Sequence, residues 1–454
     1  MQSSFLQWYR ILDGFFPESI LNQNDQGSHS RKRFYTKANT FFGFLSQILH
    51  DDGGCQDTVH RLREQALAQG ITPPSANTAA YSKARSRLDA DELADVFYHG
   101  AGAVELEATR PFGRPLVAVD GTTFSMPDTE SNQKSWPQSG EQKEGLGFPM
   151  MKLVGAFSLD TGALLDGQAG NKHDHELTLC RELWESFQKG DILVKDRAYC
   201  SYCDLVELKM RGVDMVVRLH QSRKEIPASN AVTIVSEDDR WVEWKRPDKR
   251  PEHLTDERWE AIPATLKVRQ ITYRVEVPGF RSRKIVVITT LDQEEYTRED
   301  VAEMYRLRWH AEVSFRHLKQ TLGSHILRCK TSGMIKKELW MNLIGYNAIC
   351  YLQMKAAGKA GINRVRLSFK GCLQVARAWE NRFRDWKACA RRLRHQLYNN
   401  LVVQLVPSRP NRVEPRANKR RPKIIRLMTE TRRVLQARLR ESMPGSTPLK
   451  TPLS

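Results

Sequence analysis

The stretch YRLRWHAEVSFRHLK, Tyr305 to Lys319, carries Tyr305, Arg308, Glu312 and Lys319 at steps of three, four and seven. At about 100° per residue these four fall within about 60° of one helical face. Met304, Leu307, Ala311, Phe315, Leu318 and Leu322 form the neighbouring apolar stripe that would dock the helix on a core. Glu312 is therefore expected at the edge of a buried face, flanked by two permanent cations and a phenol. Arg306 and His317 point about 100° to 120° away from Tyr305 and are expected to tolerate substitution. A solvated charged helix would carry the same charges; two acids upstream argue for more.

Those acids are Asp120, at the end of the apolar run LVAV, and Asp196, at the end of DILVK. Three carboxylates converging without a cation would repel one another and raise each other's pKa values, so such a site is normally completed by divalent metal. Hard oxygen ligands with room for water and phosphate suit Mg2+ or Mn2+. Two such ions can make a water or a sugar hydroxyl nucleophilic and stabilise the leaving oxygen in phosphoryl transfer. Singly, each acid is more often a turn residue or a surface charge, so the inference rests on all three together.

Convergence depends on the elements that carry them. Residues 1–111 read as helices broken by turns such as GITPPSANT, with Asp89 and Glu92 opening the helix DELADVFY as in a capping box. Just before it, AAYSKARSRL sets Lys83, Arg85 and Arg87 among small residues, as a short helix entering a DNA groove would, and as an ordinary solvated helix would. From Leu116 the texture changes to the order β-β-β-α-β-α-β. LVAV is followed by a hairpin turning at Asp160 to Gly162, the helix HDHELTLCRELWESF, the strand DILV, the helix YCDLVELKMRG and the strand MVVRL. Acids leaving the first and fourth strands of a mixed α/β sheet can meet at adjacent strand ends. Residues 221–292 hold short β-type runs, AVTIV, RWVEW, ITYRVEV and KIVVITTL, with no helical period between them. They read as a β-rich insertion. After the helix of Glu312, ELWMNLIGYNAICYLQMKAA should pack beneath the sheet.

A chain of 454 residues is too long for one ordinary core. Its net charge of +18 favours a polyanionic partner, nucleic acid before an anionic membrane surface, through counterion release. No run approaches the ~20 apolar residues of a membrane span, and the eight scattered cysteines suit reduced thiols in the cytosol. From Asn381 to Ser454 there are 19 Lys and Arg against 4 Asp and Glu, a net of +15. Such a segment, densest at RANKRRPKIIR, is expected to be an extended basic arm, with a short basic helix at Thr429 to Glu441. Cys200 and Cys203 lack the further ligands of a zinc site, and His173, His175 and Glu176 begin a helix where polar caps are ordinary. No nucleotide-binding fingerprint is present.

Three blocks carry a family resemblance: VAVDGTTF at Asp120, LVKDRAY at Asp196, and Y-x2-R-x3-E-x6-K from Tyr305 to Lys319. They resemble the bacterial insertion-sequence transposases with the Tyr-Arg-Glu-Lys signature, within the DDE transposase group. Trp309 and Phe315 agree with that pattern, and the likeness runs from about 112 to 380. It implies a ribonuclease H-like catalytic fold, metal-dependent hydrolysis at the element's ends, and attack of the freed 3'-hydroxyl on target DNA. Asp120, Asp196 and Glu312 would hold two Mg2+ or Mn2+ ions. Tyr305, Arg308 and Lys319 would grip phosphates, with Arg197 beside them and Lys83, Arg85 and Arg87 contacting DNA from the N-terminal helices. The expected partners are double-stranded element ends and target, bound by a dimer in the cytoplasm at the nucleoid, with no membrane.

The organisation that follows is a helical DNA-binding region (1–111), an α/β catalytic domain in two parts (112–220 and 293–380), the insertion (221–292) and the arm (381–454). Members that cut through a DNA hairpin place a Trp on the strand ahead of the signature helix, where this chain has Ile285 and Val286. Two rivals stay open: a metal-dependent nuclease that does not join DNA, and a catalytically silent DNA-binding descendant of a transposase.

Overall fold

The computed structural model describes residues 7–20, 34–275, 283–383, 390–407 and 427–441. The apolar runs form strands β1 (Leu116–Ser125), β2 (Met150–Ser158), β3 (Leu164–Asn171), β4 (Ile192–Lys195), β5 (Asp214–Arg218), β6 (Thr233–Ser236), β7 (Asp239–Lys245), β8 (Thr265–Val275) and β9 (Arg283–Thr289). All nine join one mixed sheet in the order β3-β2-β1-β4-β5-β9-β8-β7-β6. β1, β4 and β5 are parallel, β2 is antiparallel to β1, and β3 is antiparallel to β2. Gly162, at φ 76°, lies in the turn of that hairpin, a backbone region open to glycine at little cost.

β1 runs well past Asp120. Its parallel ladder with β4 ends at Val119↔Lys195, but β2 goes on pairing from Asp120↔Gly155 to Ser125↔Met150. Asp120 is thus the first residue beyond the parallel ladder, still held straight by an antiparallel neighbour. Asp196 directly follows β4, so the two acids stand at one edge of adjacent strands.

The insertion is not a separate β unit. β9 returns to pair with β5 through Val216↔Thr289, Val217↔Ile288 and Arg218↔Val287, and β8, β7 and β6 extend the sheet outward from it. It also contains the helix Asp256–Ala261, capped by Thr255, too short for a helical period to show. The buried Arg269 donates to Asp239 Oδ1 at 2.8 Å and to the Tyr296 carbonyl at 2.7 Å, fixing the insertion to the segment that leads into the signature helix.

Alternation along β1 divides the interior. Leu116 and Ala118 face a core shared with Phe15, Phe41 and Phe97 and with the long helix Ser332–Ala360. Val117 and Val119 face a second core with the helices Glu176–Glu182 and Tyr202–Met210. The N-terminal helices Gln7–Ile11, Lys37–Leu49 and Ala90–Glu105 therefore share the sheet's own core, while Cys55–Ala68 and Ala79–Arg87 bury Val59, Leu62 and Tyr81 in a cluster apart. The long helix also closes the sheet's first edge, because Asn347 Oδ1 accepts from the Leu164 N–H at 2.9 Å and its Nδ2 donates to the Leu164 carbonyl at 2.8 Å, satisfying one residue of an otherwise open strand.

The segment expected as an arm enters the folded body first. Helix Ala390–Val402 buries Leu397 and Leu401 completely, and Arg394 pairs with Asp13 at 3.0 Å. Counting charge obscured the helical spacing of Leu393, Leu397 and Leu401. Helix Arg432–Glu441 buries nothing, as suits a short basic helix, while RANKRRPKIIR lies outside the described residues. No helix among the described residues is long and apolar enough to cross a membrane.

Candidate active site

The signature stretch is built in three pieces. Helix Arg298–Leu307 starts at a capping box in which Thr297 and Asp300 satisfy each other's backbone N–H. Arg308 keeps right-handed backbone (φ −48°, ψ −34°), helix Trp309–Arg316 follows, and a π turn over His317–Thr321 ends it. The Leu322 N–H reaches the His317 carbonyl at 3.0 Å, the five-residue bond that widens such a turn. Lys319 sits in this wider turn, which a uniform 100° step does not anticipate.

The polar stripe meets the strand acids. Tyr305 donates its hydroxyl to Asp196 Oδ1 at 3.2 Å. Arg308 donates to Glu312 Oε1 at 2.8 Å and stands 3.9 Å from Asp120 Oδ2. Lys319 Nζ lies 3.2 Å from the hydroxyl of Thr122, which is two residues beyond Asp120 and so on the same face of β1. Asp120, Asp196 and Glu312 face this one helix, close enough for Glu312 and Asp196 to act on the Asp120 carboxyl but not within 4.8 Å of one another, with Arg308, only 14% exposed at its side chain, threaded between two of them.

Burial pushes the Asp120 carboxyl up to about 6. The Gly121 N–H and Arg308 oppose the shift, and Glu312 and Asp196 add to it. Burial, then Asp196, raises the Tyr305 phenol to about 12, and burial lowers the Lys319 ammonium. The folded chain holds the Asp120 proton more tightly than the unfolded one, so its ionised form costs stability above about 6 and nothing below the ordinary 3.8. Asp120→Asn should stabilise the metal-free protein by about 1–3 kcal/mol at pH 7, an advantage that fades as pH falls from 6 to 4. Urea unfolding in EDTA at both ends of that range tests this; no gain at pH 7 would count against a buried, ionised Asp120.

The other expected residues stand outside these contacts. Arg197 is exposed beside Asp196, and Lys83 and Arg87 are exposed on helix Ala79–Arg87. Arg85 is buried and bonds Gln47 and Cys55, with the Phe44 ring centroid 4.8 Å away and that of Tyr81 5.1 Å away. It is committed to the core, since two residues turn it about 200° from Lys83. His317 is not an indifferent surface residue either: it stacks on Phe369 at 4.7 Å, and burial, with Arg316 and Arg364, lowers it to about 4. Spacing did not single out Thr122, or Arg218 at the end of β5, whose charge acts on the Tyr305 phenol. Each was legible as the residue in step with an acid or at a neighbouring strand end.

Among the described residues, Asp204, Glu207 and His253 bring three metal-binding atoms within 4.8 Å of one another. Arg181 bonds Asp204 at 3.1 Å and Arg258 bonds Glu207 at 2.8 Å, so each carboxylate already has a cation, and the pairs tie helix Tyr202–Met210 to helix Glu176–Glu182 and to the insertion. Cys200 and Cys203 are buried free thiols, and His175 caps helix Glu176–Glu182.

A family model described as the Transposase DDE domain matches residues 111–348. The transposase InsG of insertion sequence element IS4 from Escherichia coli (strain K12) is 24% identical over 293 residues, 63% of this chain and 63% of that protein. A probable transposase of insertion sequence element IS5377 from Geobacillus stearothermophilus is 25% identical over 268 residues, 57% of this chain and 62% of that protein. The chain thus spans less than two thirds of the length of these relatives. A piggyBac transposase solved as a synaptic complex with hairpin DNA aligns over 91% of this chain and 86% of its own, at 12% identity and a TM-score of 0.41, too slight a likeness to transfer a site.

Proposed function

Because this chain belongs to the Transposase DDE domain family, matched over 111–348, we propose that it cleaves DNA at the ends of an insertion element and joins the freed 3' ends to target DNA. The reading extends to the Tyr-Arg-Glu-Lys subgroup, a ribonuclease H-like catalytic core and a dimer that pairs two ends in the cytoplasm at the nucleoid. One observation carries it: Tyr305 and Arg308 tie Asp196, Asp120 and Glu312 to one helix face.

The donor set fits a divalent ion. Asp120 is raised partly by Glu312 and Asp196, so like charges press on one another with Arg308 as the cation that reaches two of them. Asp120, Asp196 and Glu312 would hold Mg2+ or Mn2+, which supplies charge neutralisation for phosphoryl transfer. The chain's own groups do the positioning. The Gly121 N–H fixes Asp120 at 2.9 Å, the Tyr305 hydroxyl fixes Asp196, and Arg308 fixes Glu312. Lys319, bound among the described residues to a neutral hydroxyl, keeps its charge for a phosphate, with Arg197, Lys83 and Arg87 as further contacts. Trp309, 55% exposed beside Arg308, offers a ring to an unstacked base.

The test is incubation with Mg2+ and DNA carrying the element's terminal repeats beside a target plasmid. Joined products are expected. Nicks without joining would indicate the nuclease, and binding with neither the silent descendant.

A further inference from the structure

Glu176 opens helix Glu176–Glu182, but His175 is its cap, accepting from the Leu177 N–H at 3.3 Å. The Glu176 carboxylate instead lies against β1. A Cβ built on Gly121 would stand 3.1 Å from its Cδ and 3.2 and 3.3 Å from its two oxygens. Gly121 pairs regularly with Val154 and needs no unusual backbone, so the missing side chain is its use here: it lets an acid approach the residue next to Asp120. Glu176 also touches the other acid's segment. Tyr199, three residues past Asp196, donates its hydroxyl to Glu176 Oε2 at 3.5 Å.

Among the described residues, no Lys, Arg or His nitrogen pairs with this half-buried carboxylate. Asp204 and Glu207, one helix away, each have an arginine. A first-turn acid does gain from the helix dipole, but that gain is equal for a side chain turned to water and does not call for a glycine across from it.

We propose that Glu176 is a fourth carboxylate of the metal-holding site, raising its affinity for the divalent ion from the opposite face of β1 to Glu312. This rests on the metal reading above. Helix Glu176–Glu182 packs on the face of Val117 and Val119, and the Glu312 helix on that of Leu116 and Ala118, so β1 is flanked by acids on both sides at Asp120 and Gly121. Against four carboxylates, Arg308 supplies one bonded cation, and a dication balances the remainder.

Mn2+ binding to the full chain, without DNA, tests this by titration with free Mn2+ read by electron paramagnetic resonance. Glu176→Gln is expected to weaken affinity about tenfold, the lower end for a group acting around a metal's direct ligands. Glu182→Gln, on the same helix but about 9 Å further along its axis, should leave affinity within about twofold. A structural cap would change stability without moving Mn2+ affinity. Should Glu176→Gln fail to fold, Glu176→Asp keeps the charge with a shorter reach and should lose about threefold. Parental affinity in the folded Glu176 variant, with affinity lost in Asp120→Asn, would overturn this inference and leave the site standing. Parental affinity in Asp120→Asn as well would remove both.

Discussion

Nicking of element ends is expected to fall by about three orders of magnitude in Asp120→Ala, Asp196→Ala and Glu312→Ala alike, while end binding survives. The three acids share one task, so any double variant should be little worse than either single one. Each substitution also releases a different partner. Asp196→Ala unhooks the Tyr305 hydroxyl, Glu312→Ala frees Arg308, and Asp120→Ala removes the group that burial raises to about 6. Binding should persist because phosphate contacts reside in other side chains. Gel shifts and nicking assays on the same preparations decide the matter; retained nicking in any one variant would take that residue out of the site. Parental nicking should itself decline at acid pH, at a midpoint that moves lower as Mg2+ is raised, since proton and metal compete for Asp120.

Arg308→Ala should lower single-turnover cleavage of pre-bound ends about a hundredfold, the scale of a positioning error near 1 Å. Its guanidinium is buried between Asp120 and Glu312, so its loss leaves two carboxylates facing each other without a bridge. Arg306 is the comparison on the same helix. It is 66% exposed at its side chain and pairs with Glu303 one turn back, and exposed pairs contribute at most about 1 kcal/mol. Arg306→Ala should stay near the parental rate. Equal losses at both arginines would refute a directed polar face. His317 cannot serve as a second comparison, because its stack on Phe369 makes its substitution a change in packing.

Spacing made the centre of the molecule legible. The order of strands, the strand-end acids and the helix of Glu312 all follow from periodicity, since the apolar residues that bury an element also fix which way its polar residues face. What was hidden depends on partners distant in sequence. Whether β1 stops at Val119 or continues to Ser125 depends on β2, and whether β9 closes a separate sheet depends on β5. Arg85 shows the reverse: its place opposite Lys83 was available from helical geometry, yet its charge suggested a surface. The helix holding Leu397 and Leu401 was masked in the same way, because a count of charge ignores where apolar residues recur.

The β5–β9 ladder has a mechanical meaning. It holds three residue pairs, against seven each for β7–β8 and β8–β9. A sheet loaded through β7 yields at the shortest seam inward of it, so such a force would pass through β8 and β9 and concentrate beside Arg218. Helix Arg298–Leu307 hangs from that seam, with β9 before it and Tyr305 within it. Any tilt of the outer strands about that seam would therefore move the Tyr305 hydroxyl against Asp196.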